Sequence, residues 1–119
     1  MITVYGIKNC DTMKKAFQWL DAQKITYTFH DYKKLGAEEQ TLKEWLKLYP
    51  ADTIINTKGI TWKKLSDEEK ALLKNTKELI RLAQDKTSMI KRPIVTDGKK
   101  YLIGFDPEEW AEAAWLRKA

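Results

Sequence analysis

The stretch "ITVYGIKNCDTMKKAFQWLDAQKITYTFHDY" (residues 2–32) decides the fold. Its opening, Ile2–Gly6, is short and rich in β-branched and aromatic residues, the composition of a buried strand. Met13, Ala16, Phe17 and Leu20 then recur at the spacing of one helix face. Asn9 is placed to cap that helix, and Asp11 suits its positive first turn. "ITYTFHDY" (residues 25–32) returns to strand composition. Strand, helix and strand within about thirty residues make a βαβ unit, with parallel strands and a right-handed crossover.

Gly36 breaks the chain after this unit. Leu42, Trp45, Leu46 and Tyr49 mark a further helix, stopped by Pro50. Residues 51–64 are less regular. Ser66 and Glu69 form a capping-box pattern before a helix through Leu73. Thr76 is the expected cap of the next helix, which contains Leu79, Ile80, Leu82 and Ala83. The period changes again in "RPIVTDGKKYLIGF" (residues 92–105), where "PIVT" and "KYLIG" flank Asp97-Gly98, a hairpin signal. Asp106, Pro107 and Glu109 open a last helix, with Trp110, Ala113, Ala114 and Arg117 at helical spacing and Trp115 and Leu116 widening its apolar stripe. The order β-α-β-α, helices, β-β-α is that of an α/β, thioredoxin-like fold with inserted helices. A single domain over 1–119 is expected, with a helical lobe at approximately 36–90 that shares the core of the sheet.

At 119 residues the chain has the size of one domain, and 43% hydrophobic content supplies an ordinary core. Its net charge of +5 is spread along the chain, with no finger, homeodomain or base-stacking motif, so direct nucleic-acid binding is not expected. No apolar run approaches the roughly 18 residues that span a membrane. No export signal is visible at the N-terminus. One cysteine cannot form an internal disulfide and points to a reducing compartment, so a cytoplasmic monomer is expected. One histidine, His30, makes a poor metal site, and no metal or bound cofactor is expected.

The one thiol, Cys10, lies on the loop from the first strand to its helix. In a parallel pair this loop emerges at the carboxyl end of the strands, where open α/β sheets bind ligands. Free N–H groups and the helix dipole favour a thiolate there. Lys8 stands two residues before it and Lys14 a turn after. Arg92, one of three arginines, directly precedes Pro93. A cis Pro93 would bring Arg92 towards Cys10, although X–Pro bonds in general favour trans.

"VYGIKNCDTMKKA", "NTKGITWKKL" and "IKRPIV", in this order, resemble the arsenate reductase-like (ArsC/Spx) family. The resemblance is strongest to its YffB branch of glutathione-dependent thiol reductases, in which "YGIKNCDT" and a downstream "KRP" occur. It implies a thioredoxin-like fold with a helical lobe, a cis Pro93 and a catalytic thiolate at Cys10. In the arsenate reductases of this family three arginines hold the oxyanion around the cysteine. Arg92 matches one. Lys63 stands in the place of another, keeping charge without the bidentate fork, and Gly104 in the place of the third. Gly6 to Asn9 replace a histidine-bearing loop. These departures argue against arsenate. In the Spx regulators a second cysteine usually stands three positions after the first. Met13 holds that position here, which excludes an internal disulfide switch.

The expected function is that of a monothiol oxidoreductase using glutathione as co-substrate. Cys10 attacks, and the N-terminus of its helix, Lys8 and Arg92 lower its pKa. Lys8, Asn9, Lys63, Arg92 and Pro93 bind the anionic substrate. Two alternatives stand beside it. One is an Spx-like regulator that docks on the RNA polymerase alpha subunit. The other is a weak arsenate reductase.

Overall fold

A computed structural model describes residues 1–118, and of Lys118 the backbone alone. The chain divides into two compact units, 1–31 with 92–119, and 32–91.

The first unit is built on a four-stranded sheet of order β2-β1-β3-β4. Strand β1 (Ile2–Gly6) pairs in parallel with β2 (Tyr27–Asp31) across helix α1 (Asp11–Ala22), which is the expected βαβ unit. On its other side β1 pairs antiparallel with β3 (Ile94–Thr96), and β3 with β4 (Tyr101–Ile103). This is the thioredoxin-like arrangement. Alternate residues of β1 point inward, so Ile2 and Val4 are fully buried. They meet Met13, Ala16 and Leu20, the inner face of α1, together with Val95, Leu102, Trp110 and Leu116. Gly98 turns the hairpin with φ +100, a conformation that favours glycine.

Element ends differ from expectation in several places. Strand β2 begins at Tyr27 rather than residue 25, and Tyr32 already starts a helix, α2 (Tyr32–Leu35). The lobe therefore begins a few residues before Gly36. The last helix is interrupted at Ala113, giving α8 (Pro107–Glu112) and α9 (Ala114–Lys118) when all helices are numbered along the chain. The interruption has a packing reason. Residues six apart on an unbroken helix lie about 120° apart around its axis. Yet Trp110 and Leu116 are both fully buried in one cluster, and the break lets both reach it. Asp106 caps α8 as expected, accepting from the Glu108 N–H at 3.0 Å.

The second unit is helical. It holds α3 (Glu39–Leu48), α4 (Ala51–Ile54), α5 (Ile60–Lys63), α6 (Asp67–Ala71) and α7 (Thr76–Asp85). The irregular stretch 51–64 contains the two short helices α4 and α5. The Ser66–Glu69 capping box forms, with the Glu69 N–H donating to Ser66 Oγ at 3.1 Å. Helix α6 stops at Ala71, and a 3₁₀ turn carries the chain through Leu72–Lys74. Asn75, not Thr76, caps α7: its Oδ1 accepts from the Glu78 N–H at 3.3 Å. The last residues of the lobe are tied to its middle by an antiparallel bridge of Ile55 with Ile90, and the Lys91 N–H donates to the Ile54 carbonyl at 2.8 Å. Among the described residues no helix is long and apolar enough to cross a membrane.

Candidate active site

The site grows from the carboxyl end of β1. Ile7, Lys8 and Asn9 leave the strand, and α1 starts at Asp11. Asn9 does not cap this helix. Cys10 is the N-cap residue, with extended backbone (φ −138, ψ 133). No oxygen-bearing cap competes for the first N–H groups of α1, and those of Thr12 and Met13 act on the sulfur. Its carbonyl begins the helical ladder by accepting from the Lys14 N–H at 2.9 Å.

The thiol is half-buried. Burial is the largest single influence on it and opposes ionisation. Against burial act the hydrogen bond from the Arg92 side chain, the backbone N–H groups of Met13 and Thr12, and the positive charge of Arg92. Together they win, and the thiol titrates below its ordinary value. The sulfur thus has a fixed cation beside it and two N–H donors at a helix end, the setting of an activated nucleophile.

The Arg92–Pro93 peptide is cis. Pro93 is buried at the start of β3, and its carbonyl accepts from the Gly104 N–H at 2.8 Å. The structure therefore joins Cys10 and Arg92, the two residues named as catalytic. Lys8 and Asn9 are exposed on the loop leading to the thiol. Lys63 is exposed at the end of α5 in the second unit. His30 lies against Tyr5 of the neighbouring strand, with ring centroids 4.9 Å apart. Gly104 has φ +81, and an added Cβ would meet nothing within 4 Å. An arginine at that position has room but would have to adopt a left-handed backbone, at about 1–2 kcal/mol.

Sequence reading expected free N–H groups at this helix end but did not assign them, because it placed the cap at Asn9; they are those of Thr12 and Met13. A cysteine directly before the first acidic residue of an amphipathic helix is itself the cap, and the N–H groups of the next two to three residues face it.

The family model described as "ArsC family" matches residues 5–113. An uncharacterized protein of Haemophilus influenzae is 42% identical over 113 residues, covering 95% of this chain and 98% of that protein. The solved structure of the YffB (PA3664) protein superposes with a TM-score of 0.88 at 42% identity, covering 95% of this chain and 98% of that one. The global transcriptional regulator Spx of Streptococcus pneumoniae is 29% identical over 111 residues, covering 92% of this chain and 82% of that protein.

Proposed function

Because the chain belongs to the ArsC family, with the reductase-like thioredoxin fold that this entails, we propose that it is a monothiol, glutathione-dependent thiol reductase acting through Cys10. The observation that carries this reading is the Arg92 side chain hydrogen-bonded to a thiol whose titration is pulled down at the start of α1. The Cys10 thiolate attacks the glutathione sulfur of a mixed disulfide. The old S–S bond breaks, the substrate leaves as a thiolate, and Cys10 holds the glutathione. A second glutathione thiolate attacks that adduct, releasing oxidised glutathione and regenerating Cys10. The net exchange converts the mixed disulfide and one free glutathione into the substrate thiol and oxidised glutathione, one disulfide replacing another. Met13 offers no internal thiol, so the resolving sulfur comes from outside the chain. Arg92, with Lys8, Asn9 and Pro93, supplies the anion-binding groups of this reading, which operates in a reducing cytoplasm.

Intact-mass spectrometry tests it. Oxidised glutathione should add one glutathione per chain, reversed by excess reduced glutathione, and Cys10→Ser should abolish the adduct completely with an unchanged circular-dichroism spectrum. A native protein that resists modification until denatured would refute the reading.

The likeness to Spx over most of the chain supports a second reading, a regulator that docks on the RNA polymerase alpha subunit. Retention of the purified alpha subunit by the immobilised protein, unaffected by Cys10→Ser, would favour it. Arsenate is the weaker alternative substrate. Gly104 offers it no side-chain donor, so glutathione-coupled arsenate turnover should be weak or absent.

A further inference from the structure

Gly6 is the last residue of β1 and is buried. A Cβ built on it would stand 2.5 Å from both Sδ and Cε of Met13, and 3.5 Å from Cβ of Arg92. The first two distances are collisions, and the third is ordinary contact. The end of a methionine side chain is flexible, and on a surface it would swing aside. Met13, however, is fully buried among Ile2, Val4, Ala16 and Leu20. In a close-packed interior a displaced thioether must push its neighbours or its own backbone. That backbone supplies one of the N–H groups on the sulfur of Cys10, and the other neighbour of Gly6 is the residue whose guanidinium reaches the same sulfur.

We propose that Gly6 is a positioning residue for Cys10: its missing side chain admits the Met13 thioether against the end of β1, and this contact seats the first turn of α1 and Arg92 around the sulfur. The inference rests on the reading of Cys10 as the reactive thiol and adds to it the residue that sets the site's geometry. It also gives Met13 a task. Its side chain fills the space the glycine leaves, while its N–H serves the sulfur.

The test is the pH dependence of iodoacetamide alkylation, which requires no glutathione. A missing glutathione adduct would therefore sink the proposed function without touching this inference. Gly6→Ala should raise the alkylation midpoint by about half a pH unit or more and slow alkylation at neutral pH by about threefold. Met13→Val removes the colliding atoms, so Gly6→Ala/Met13→Val should return the midpoint to that of the wild type. A role in stability alone would alter unfolding and leave the midpoints equal. Met13→Phe crowds the same contact from the helix side and should shift the midpoint in the same direction, which provides the comparison should Gly6→Ala fail to fold. An unchanged midpoint in folded Gly6→Ala or Met13→Phe, or a double variant no closer to wild type than Gly6→Ala, would overturn the proposal. So would a wild-type midpoint at that of a free thiol.

Discussion

The turn of the β3–β4 hairpin and the loop entering α1 each offer two successive backbone N–H groups to a side-chain anion. At the hairpin, Asp97 Oδ1 accepts from the Lys99 and Lys100 N–H groups, both at 2.8 Å. At the loop, the N–H groups of Thr12 and Met13 serve Cys10. Both anions titrate below their ordinary values. For Asp97 the Lys100 N–H is the largest cause, followed by that of Lys99. For Cys10 burial comes first and works in the opposite direction, and the guanidinium of Arg92 acts with the N–H groups against it. The consequences differ because the starting points differ. A carboxylate is ionised near neutral pH in any case, so the hydrogen bonds at Asp97 shape a turn and change no chemistry. A free thiol is mostly protonated there. The same device, aided by one cation, raises the population of the nucleophile.

The comparison breaks most sharply at Arg92. Arg92→Ala should leave Cys10 with burial and two N–H groups, raising its midpoint by about one unit and slowing neutral-pH alkylation by about tenfold. A low midpoint that survives the substitution would mean that the helix end suffices and would make the two loops equivalent. Arg92→Lys should recover only part of the effect, since the ammonium lacks the planar fork.

Stability against pH sharpens the contrast next. The folded state holds the Cys10 thiol at a lower pKa than the unfolded chain does. Its stabilising contribution is therefore fully present above the unfolded thiol's pKa and is lost as pH falls through the folded one. Urea denaturation across this range should show the wild type gaining on Cys10→Ser as pH rises between the two values, with a constant difference above them. A difference that falls with pH would reverse the sign assigned to the site.

Asp97→Ala should cost a smaller amount, about 1 kcal/mol of unfolding free energy from the lost turn hydrogen bonds, and should leave the alkylation midpoint of Cys10 where it is. The Asp97 contribution follows the acid side: present above the ordinary carboxylate range and lost as pH falls through its lowered folded value. The smallest effect is expected at Lys14. Its side chain is exposed on α1, and solvent and salt screen its charge. Lys14→Ala should change the midpoint by less than Arg92→Ala does at every ionic strength, and a larger shift would move the source of activation from the guanidinium to the helix surface.

Much of the sheet unit was legible because its signals are local. The apolar period of Met13, Ala16 and Leu20, the Asp97-Gly98 turn and the Asp106-Pro107 cap each act within a few residues, and each formed where its pattern stood. The errors fell at element ends, where local preference is weak and packing decides. Ala113 is an adequate helix former, yet the chain breaks there because Trp110 and Leu116 compete for one core. Asn9 and Thr76 are both good caps by type, but the helices begin one residue later than the first suggests and one residue earlier than the second. Caps are chosen by where the helix is docked as much as by side-chain chemistry.

The sequence alone determined that this is a βαβ unit closed by a hairpin and a helix, that its one thiol stands at the start of the first helix, and that no second thiol stands three residues on. These follow from periodicity, turn chemistry and the identity of single residues. The resemblance anticipated a cis Pro93 and Arg92 beside the thiol, and the fold realises both, with Arg92, 82 positions away by its number, donating to it. Tertiary structure alone decided which backbone N–H groups meet the sulfur and that Gly6 leaves room for Met13. The reason is physical. Whether a thiol ionises depends on the balance between burial and the donors brought to it, and that balance exists only when strands distant in sequence pair and carry their ends to one place.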